Sequence, residues 1–138
     1  MKMDVDCIRN ILLQAEEDSF VVPMDSSFLY DDEDDEPDSK INGEYIKNYE
    51  INKLLYHIDL AEELGLIKCA NAVGYYTVLD LTAQGHLLLA DIREDKVWNK
   101  TKEISNQIGT SSLDAIKQIA VNVVSSLITN YFQKWYIS

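Results

Sequence analysis

Apolar residues recur at helical spacing along most of the chain, and this pattern predicts a mainly helical protein. Apolar side chains three or four residues apart indicate helices over residues 4–18 and 50–64. Asp4 is suited to cap the first helix, and Gly65 is a natural stop for the second. A shorter helix is predicted over residues 44–49.

The same spacing predicts three more helices in the second half of the chain. Thr82 is the expected cap of the first of them, and Asp95 is the expected start of the next. The last helix covers residues 112–135, with Ser111 or Ser112 as its cap.

Short β-branched and aromatic runs between these helices predict three strands. Residues 20–22 are stopped by Pro23, which favours an edge strand. Residues 66–70 and 75–81 are expected to pair as a hairpin around a four-residue loop, residues 71–74.

The order of elements predicts an α+β fold that is mostly α. Helices followed by a two-stranded hairpin form the order of a winged helix, in which a helix-turn-helix core carries a β-hairpin wing. We therefore expect a winged-helix-like domain over residues 1–95. Residues 96–138 are expected to form a C-terminal helical extension that packs on the domain or dimerises.

Net charge is unevenly distributed and lowers the expectation of nucleic-acid binding. The whole chain carries −12, and most of the acidity lies in the first third. Residues 24–40 lack periodicity and are predicted to be an acidic mobile loop. The alternative is an interaction loop that mimics nucleic acid or binds a basic partner. The candidate acidic residues are Asp31, Asp32, Glu33, Asp34, Asp35 and Glu36.

Four stretches resemble a bacterial and phage family of uncharacterised proteins, the domain-of-unknown-function family 2513. They span nearly the whole chain, and the acidic loop departs from the family pattern. The resemblance implies a phage or mobile-element setting and a winged-helix-like core, and it brings no known activity. The matching stretches are residues 1–13 (MKMDVDCIRNILL), 56–60 with 65–67 (YHIDL, GLI), 81–86 with 91–98 and 101–102 (LTAQGH, DIREDKVW, TK), and 112–117 (SLDAIK).

If the predicted winged helix binds DNA, residues 50–64 are its natural recognition helix. Asn52 could read adenine, and Lys53 could read guanine or contact phosphate. Acidic and apolar neighbours on the same face suit a protein partner better than DNA. The full candidate face is Asn52, Lys53, Tyr56, Asp59, Leu60 and Glu63.

The sequence offers no recognisable catalytic, metal or cofactor site. His57 and His86 are the only histidines, and neither lies in a zinc-binding spacing, so we expect both to be structural. Adjacent acidic residues in the loop lack the fixed, desolvated setting of a general acid. We therefore expect a protein that is not an enzyme and needs no cofactor.

The last helix is apolar on more than one side, which predicts self-association. A single small chain cannot easily cover all of these faces, so a homodimer is expected. The candidate self-association residues are Val124, Ile128, Phe132 and Trp135.

Three features of the sequence predict a cytoplasmic protein, bacterial or phage-encoded, without membrane contact. The two cysteines lack paired spacing, no signal peptide is visible, and there is no long apolar run.

Two functions remain open. The first is an interaction module that binds a protein partner. The second is a winged-helix DNA-binding transcriptional regulator.

Overall fold

A computed structural model describes residues 1–24, 43–110 and 112–137. Over these residues the chain has an α+β fold, as the sequence predicted, and it consists of five helices and one small antiparallel sheet. The chain divides into two compact units, Met1–His86 and Leu87–Ser138. The helices are α1 (Val5–Glu17), α2 (Ile51–Glu63), α3 (Ala83–Ile92), α4 (Asp95–Ile108) and α5 (Leu113–Ile137), and the strands are β1 (Phe20–Pro23), β2 (Ile67–Ala72) and β3 (Tyr75–Leu81).

In the first unit, α1 and α2 pack on the sheet through their apolar sides. Asp4 caps α1, since its Oδ1 atom accepts hydrogen bonds from the amides of Asp6 and Cys7 at 2.9 and 3.4 Å. The inward side of α1 is completely buried, as Ile8 and Ile11 illustrate. Helix α2 ends at Gly65, whose φ of 73° is the left-handed conformation that glycine adopts readily.

The sheet has the strand order β1-β3-β2, and all neighbours are antiparallel. The four-residue strand β1 lies at one edge, with Phe20 opposite Val78 of β3, so the predicted edge strand is confirmed. The predicted four-residue hairpin loop is wrong. Ala72 pairs with Tyr75, so the strands continue further, and only residues 73 and 74 form the turn. Gly74 supplies the positive φ that this tight turn needs.

The helix predicted over residues 44–49 is also wrong, because residues 44–48 form hydrogen-bonded turns. The amides of Ile46 and Lys47 both donate to the carbonyl of Gly43, and the segment ends before further helical bonds can accumulate. Ile46 is nevertheless fully buried and anchors the segment in the core. The three-helix core of a winged helix therefore stays a prediction.

A close approach of two backbone segments fixes the start of α3. Thr82 caps the helix as predicted: its Oγ1 accepts from the amide of Gly85 at 3.1 Å and donates to the carbonyl of Gly65. Gly85 lies against the carbonyl oxygen of Leu66, where an added Cβ would be 2.1 Å from that oxygen. Only glycine permits this contact without displacement of the backbone.

The second unit contains the helical hairpin of α4 and α5. Gly109, with φ of 83°, ends α4 in the left-handed conformation. Ser112 caps α5 by accepting from the amide of Ala115 at 3.2 Å. Side chains from both helices are buried in this unit, among them Val97, Trp98, Ile116 and Ala120. The boundary between the two units falls within α3. The predicted division into a winged-helix-like domain over residues 1–95 and a helical extension over residues 96–138 stays a prediction.

Candidate functional site

The only cation on the candidate recognition face of α2 is already paired within the chain. The Nζ atom of Lys53 lies 2.7 Å from Oδ2 of Asp4 and also lies over the ring of Tyr49, 5.5 Å from its centroid. Asn52 is exposed one residue earlier. Partial burial alone would raise the pKa of Asp4, but the hydrogen bond and charge of Lys53, with two backbone amides, hold it below its ordinary value.

His57 occupies the centre of the same contact between α1 and α2. Its side chain is fully buried, and Nε2 accepts a hydrogen bond from the backbone amide of Asp4 at 2.8 Å. Nδ1 lies 2.7 Å from the carbonyl oxygen of Lys53 and donates to it in the neutral tautomer that this arrangement requires. Both ring nitrogens are therefore engaged in structure, and neither is available to a substrate or metal.

The other end of the recognition face is acidic. Asp59 and Glu63 are exposed on α2, as is the neighbouring Glu62. The charge of Asp59 is the main cause of a raised pKa at Tyr76 on β3. Burial, followed by a hydrogen bond and charge from Glu62, raises the pKa of Cys69 on β2 to about 12. A phosphate backbone approaching this side would meet carboxylates.

The remaining candidate residues of this face do not form a separate cluster. Tyr56 and Leu60 are half-buried, and the Tyr56 ring contacts His57 edge-on at 5.2 Å between centroids.

At the hairpin tip, Val73 is 96% exposed, and Lys68 is an exposed cation on the same hairpin. The acidic residues 31–36 lie outside the described residues.

The candidate self-association residues do lie together, on one face of α5. At about 100° per residue, six apolar positions fall within an arc of about 100°. Ile128, Phe132 and Trp135 are 51%, 50% and 69% exposed. We call this set the α5 stripe. It consists of Val121, Val124, Ile128, Tyr131, Phe132 and Trp135.

Sequence reasoning missed Val121 and Tyr131 as members of this stripe. Val121 is 42% exposed, and Tyr131 is 64% exposed and contacts Phe132 edge-on at 5.8 Å between ring centroids. Their positions at helical spacing from Val124 and Ile128 were the available signal. All six stripe residues are uncharged, and no charged residue occurs between Lys117 and Lys134; only Trp135 lies beyond this stretch.

A groove between α4 and α5 lies on the side of α5 away from the stripe. It has a volume of about 790 Å³ and combines apolar side chains such as Ile104 and Leu127 with polar ones. Asn122 and Ser126 line it from α5. Lys100 also lines the groove, and its Nζ atom lies 3.6 Å from Oε2 of Glu103. The second unit therefore offers two different surfaces on one helix.

Within the described residues, no three His, Cys, Asp or Glu side chains are grouped so that they could hold a metal ion. The described helices are also too short or too polar to cross a membrane.

Cys7 and Cys69 are free thiols. Burial is the main cause that raises the pKa of Cys7 to about 12, which makes it a poor nucleophile.

Comparison with known proteins places the chain in a family. Residues 2–112 match the family described as "Hypothetical protein (DUF2513)", and this match ends immediately before α5. An uncharacterised protein of Haemophilus influenzae is 34% identical over 136 residues, covering 93% of this chain and 99% of its own length. Since 93% of the chain is aligned, that match extends into α5. No solved structure matches the chain. The chain belongs to the DUF2513 family.

Proposed function

We propose that the protein is a non-enzymatic interaction module that binds a protein partner through the α5 stripe. One observation carries the proposal: five of the six stripe side chains are exposed on one face of a long helix, and the sixth, Val124, is half-buried. Contiguous apolar patches of this kind mark interaction surfaces in proteins that otherwise cover such groups. A phage or mobile-element setting and a cytoplasmic location are part of this proposal.

The free energy that burial of the stripe would contribute supports a binding partner for this surface. Burying a large apolar side chain contributes about 1.5–3 kcal/mol, and the stripe contains three aromatic side chains among its six members. A membrane surface is a weaker candidate, because only Lys117 and Lys134 flank the stripe and could meet anionic headgroups. A protein surface can bury the stripe without needing charges.

The histidines support a module without catalysis. His57 uses both ring nitrogens to join α1 to α2. His86 is exposed on α3 and lacks the desolvated surroundings that tune a general acid or base.

The alternative function is a winged-helix DNA-binding transcriptional regulator. It is favoured by the contact of α2 with the β2–β3 hairpin and by the exposed Asn52 on the face that would enter a groove. Against it, Lys53 is paired with Asp4, and Asp59 and Glu63 share the same face. We therefore place DNA second.

Affinity capture from a bacterial lysate, with and without nuclease, tests the proposal when two matched variants accompany the wild type. The first variant, Val124→Asp with Ile128→Asp, adds two charges to the stripe. The control, Asn122→Asp with Ser126→Asp, adds two charges at the same spacing on the groove side of α5. Both pairs are four residues apart, so their effects on helix charge are matched.

We expect the wild type and the control to retain a bound protein after nuclease treatment and the stripe variant to lose it. Retention of the same protein by the stripe variant would overturn the proposal. Capture that depends on nuclease-sensitive material, together with loss on Lys53→Ala or Asn52→Ala, would instead establish the DNA-binding alternative.

A further inference from the structure

The α5 stripe has an internal symmetry about Ile128. Val124 lies four residues before Ile128 and Phe132 four residues after it. Val121 and Trp135 lie seven residues before and after. All five positions face the same side of the helix, because steps of four and seven residues return close to the starting angle.

A symmetric stripe is self-complementary when two copies run antiparallel. With a two-fold axis through Ile128, Val121 of one copy opposes Trp135 of the other, and Val124 opposes Phe132. Each small side chain then faces a large one, which is the arrangement that fills an interface without voids or clashes. Parallel pairing would instead place Trp135 against Trp135 and Val121 against Val121.

We propose that the α5 stripe binds a second copy of this chain, forming an antiparallel two-fold dimer centred on Ile128. This inference rests on the proposed function and names the partner of the same surface, so the protein expected in the capture experiment is an untagged copy of this chain co-expressed in the lysate. In such an isologous interface every contact occurs twice, so each residue of the stripe contributes from both copies. The antiparallel arrangement also aligns the two helix dipoles favourably.

The area of the stripe fits a dimer. From the exposed fractions of its side chains, the stripe presents about 600 Å² of surface per copy. Complete burial of both stripes would remove about 1,200 Å² from water, the lower limit of a standard stable interface. From Val121 to Trp135 the stripe is about 21 Å long, or about two heptads, which is shorter than a long coiled coil but enough for a helix pair.

Charge restricts where two copies can meet. Each chain carries −12, so acidic surfaces of two copies repel one another. From Val121 to Phe132 the stripe lies in a stretch without charges, and only Lys134, beside Trp135, falls within its span. Burying it requires no desolvation of an ionised group. Pairing about Ile128 sets Lys134 opposite the position of Asn122, so that like charges do not face each other.

Light scattering coupled to size exclusion tests the dimer at 5–200 μM full-length protein. We expect the wild type to have twice the chain mass of 15.8 kDa. Val124→Asp with Ile128→Asp should raise the dissociation constant of the dimer more than about 100-fold, because each of the two copies brings both new charges into the interface. Asn122→Asp with Ser126→Asp, on the groove side, should remain dimeric. A monomeric wild type, or a stripe variant that stays dimeric, would overturn the inference.

Cysteine cross-linking keeps the inference testable if the charged variant fails to fold. In a Cys69→Ser background, Ile128→Cys should form a disulfide between copies under mild oxidation, because the two thiols meet at the axis. Ser126→Cys, on the groove side, should stay monomeric on a non-reducing gel. Absence of the Ile128→Cys cross-link, or equal cross-linking of both variants, would exclude this axis.

The two proposals fail in different ways. If the wild type is monomeric but the stripe variant alone loses a captured protein, the self-association is wrong and the interaction module stands. If the stripe variant changes neither the mass nor the captured protein, both proposals are wrong. Stripe-dependent binding to anionic vesicles by a monomeric wild type would replace both with a membrane-surface role.

Discussion

Replacing Gly85 by alanine should destabilise the first unit, although alanine is the better helix former. Gly85 lies in the first turn of α3, and an added Cβ would be 2.1 Å from the carbonyl oxygen of Leu66 and 3.1 Å from its carbonyl carbon. Because both partners are backbone atoms, no side-chain rotation relieves the overlap. The helix start or the segment before β2 must move by about 1 Å, since ordinary contacts lie beyond about 3.3 Å.

Such a movement would disturb three hydrogen bonds at once. The amide of Thr82 donates to the carbonyl of Leu66 at 3.0 Å. The hydroxyl of Thr82 accepts from Gly85 and donates to Gly65. At about 1 kcal/mol each, loss of these bonds costs about 3 kcal/mol. The higher helix propensity of alanine offsets about 1 kcal/mol. We therefore expect a net loss of about 2 kcal/mol in the free energy of unfolding.

Urea denaturation followed by circular dichroism measures this loss. Gln84→Ala is the matched control, because Gln84 is exposed in the same helical turn and its replacement should change stability by less than about 0.5 kcal/mol. A Gly85→Ala protein as stable as the wild type, or more stable, would refute the close backbone contact on which the reasoning depends.

Three further predictions concern the contact of α1 with α2 and the thiols. His57→Phe should cost about 1–3 kcal/mol by leaving the amide of Asp4 without its acceptor, whereas exposed His86→Phe should cost little in the same denaturation assay. Because the pKa of Asp4 lies below its ordinary 3.8, its carboxylate stabilises the fold above that pH and loses this effect as the pH falls through the lowered pKa. Asp4→Ala should therefore melt below the wild type at pH 7, with a gap that closes under strong acid; a constant gap contradicts this. Glu62→Gln should speed thiol labelling of Cys69 at pH 8 but not that of Cys7, since Cys69 is the only one of the two thiols whose pKa Glu62 raises.

The ends of most helices could be predicted because their signals are local. Asp4, Thr82 and Ser112 each cap a helix through an amide within three residues, so the information lies beside the element it ends. Gly65 and Gly109 mark helix ends for a similar reason, since their positive φ is a property of single residues.

The errors arose where no local signal decides. The sequence predicted a loop at residues 71 and 72. In the structure, the pairing of β2 with β3 continues to Ala72 and Tyr75, because nothing in those side chains prevents it. Residues 44–48 contain acceptable helix formers, but so short a segment has too few hydrogen bonds to repay helix nucleation.

The candidate recognition face shows a limit of a different kind. The sequence suggested that Lys53 is a free cation, because its partner Asp4 is 49 residues away along the chain. His57 likewise joins an amide 53 residues away. Periodicity tells which side chains share a face of a helix, but only the packing of α1 on α2 tells which of them remain available to a partner.

The surroundings of α5 change along its length, and this explains why its pattern favoured several faces at once. Near its start, Ile116 and Ala120 are fully buried, so this part behaves as an ordinary core helix. Beyond Val121 the apolar residues continue at the same spacing while most of them become exposed. A sequence under no pressure to bury this second part would be expected to turn polar there, as helices facing water do. It contains Tyr131, Phe132 and Trp135 instead, in a chain whose net charge is −12. Two chains of this net charge repel at long range, whereas contact through the uncharged stripe adds no like-charge pair. The charge that disfavours DNA therefore also favours the stripe as the proposed binding surface.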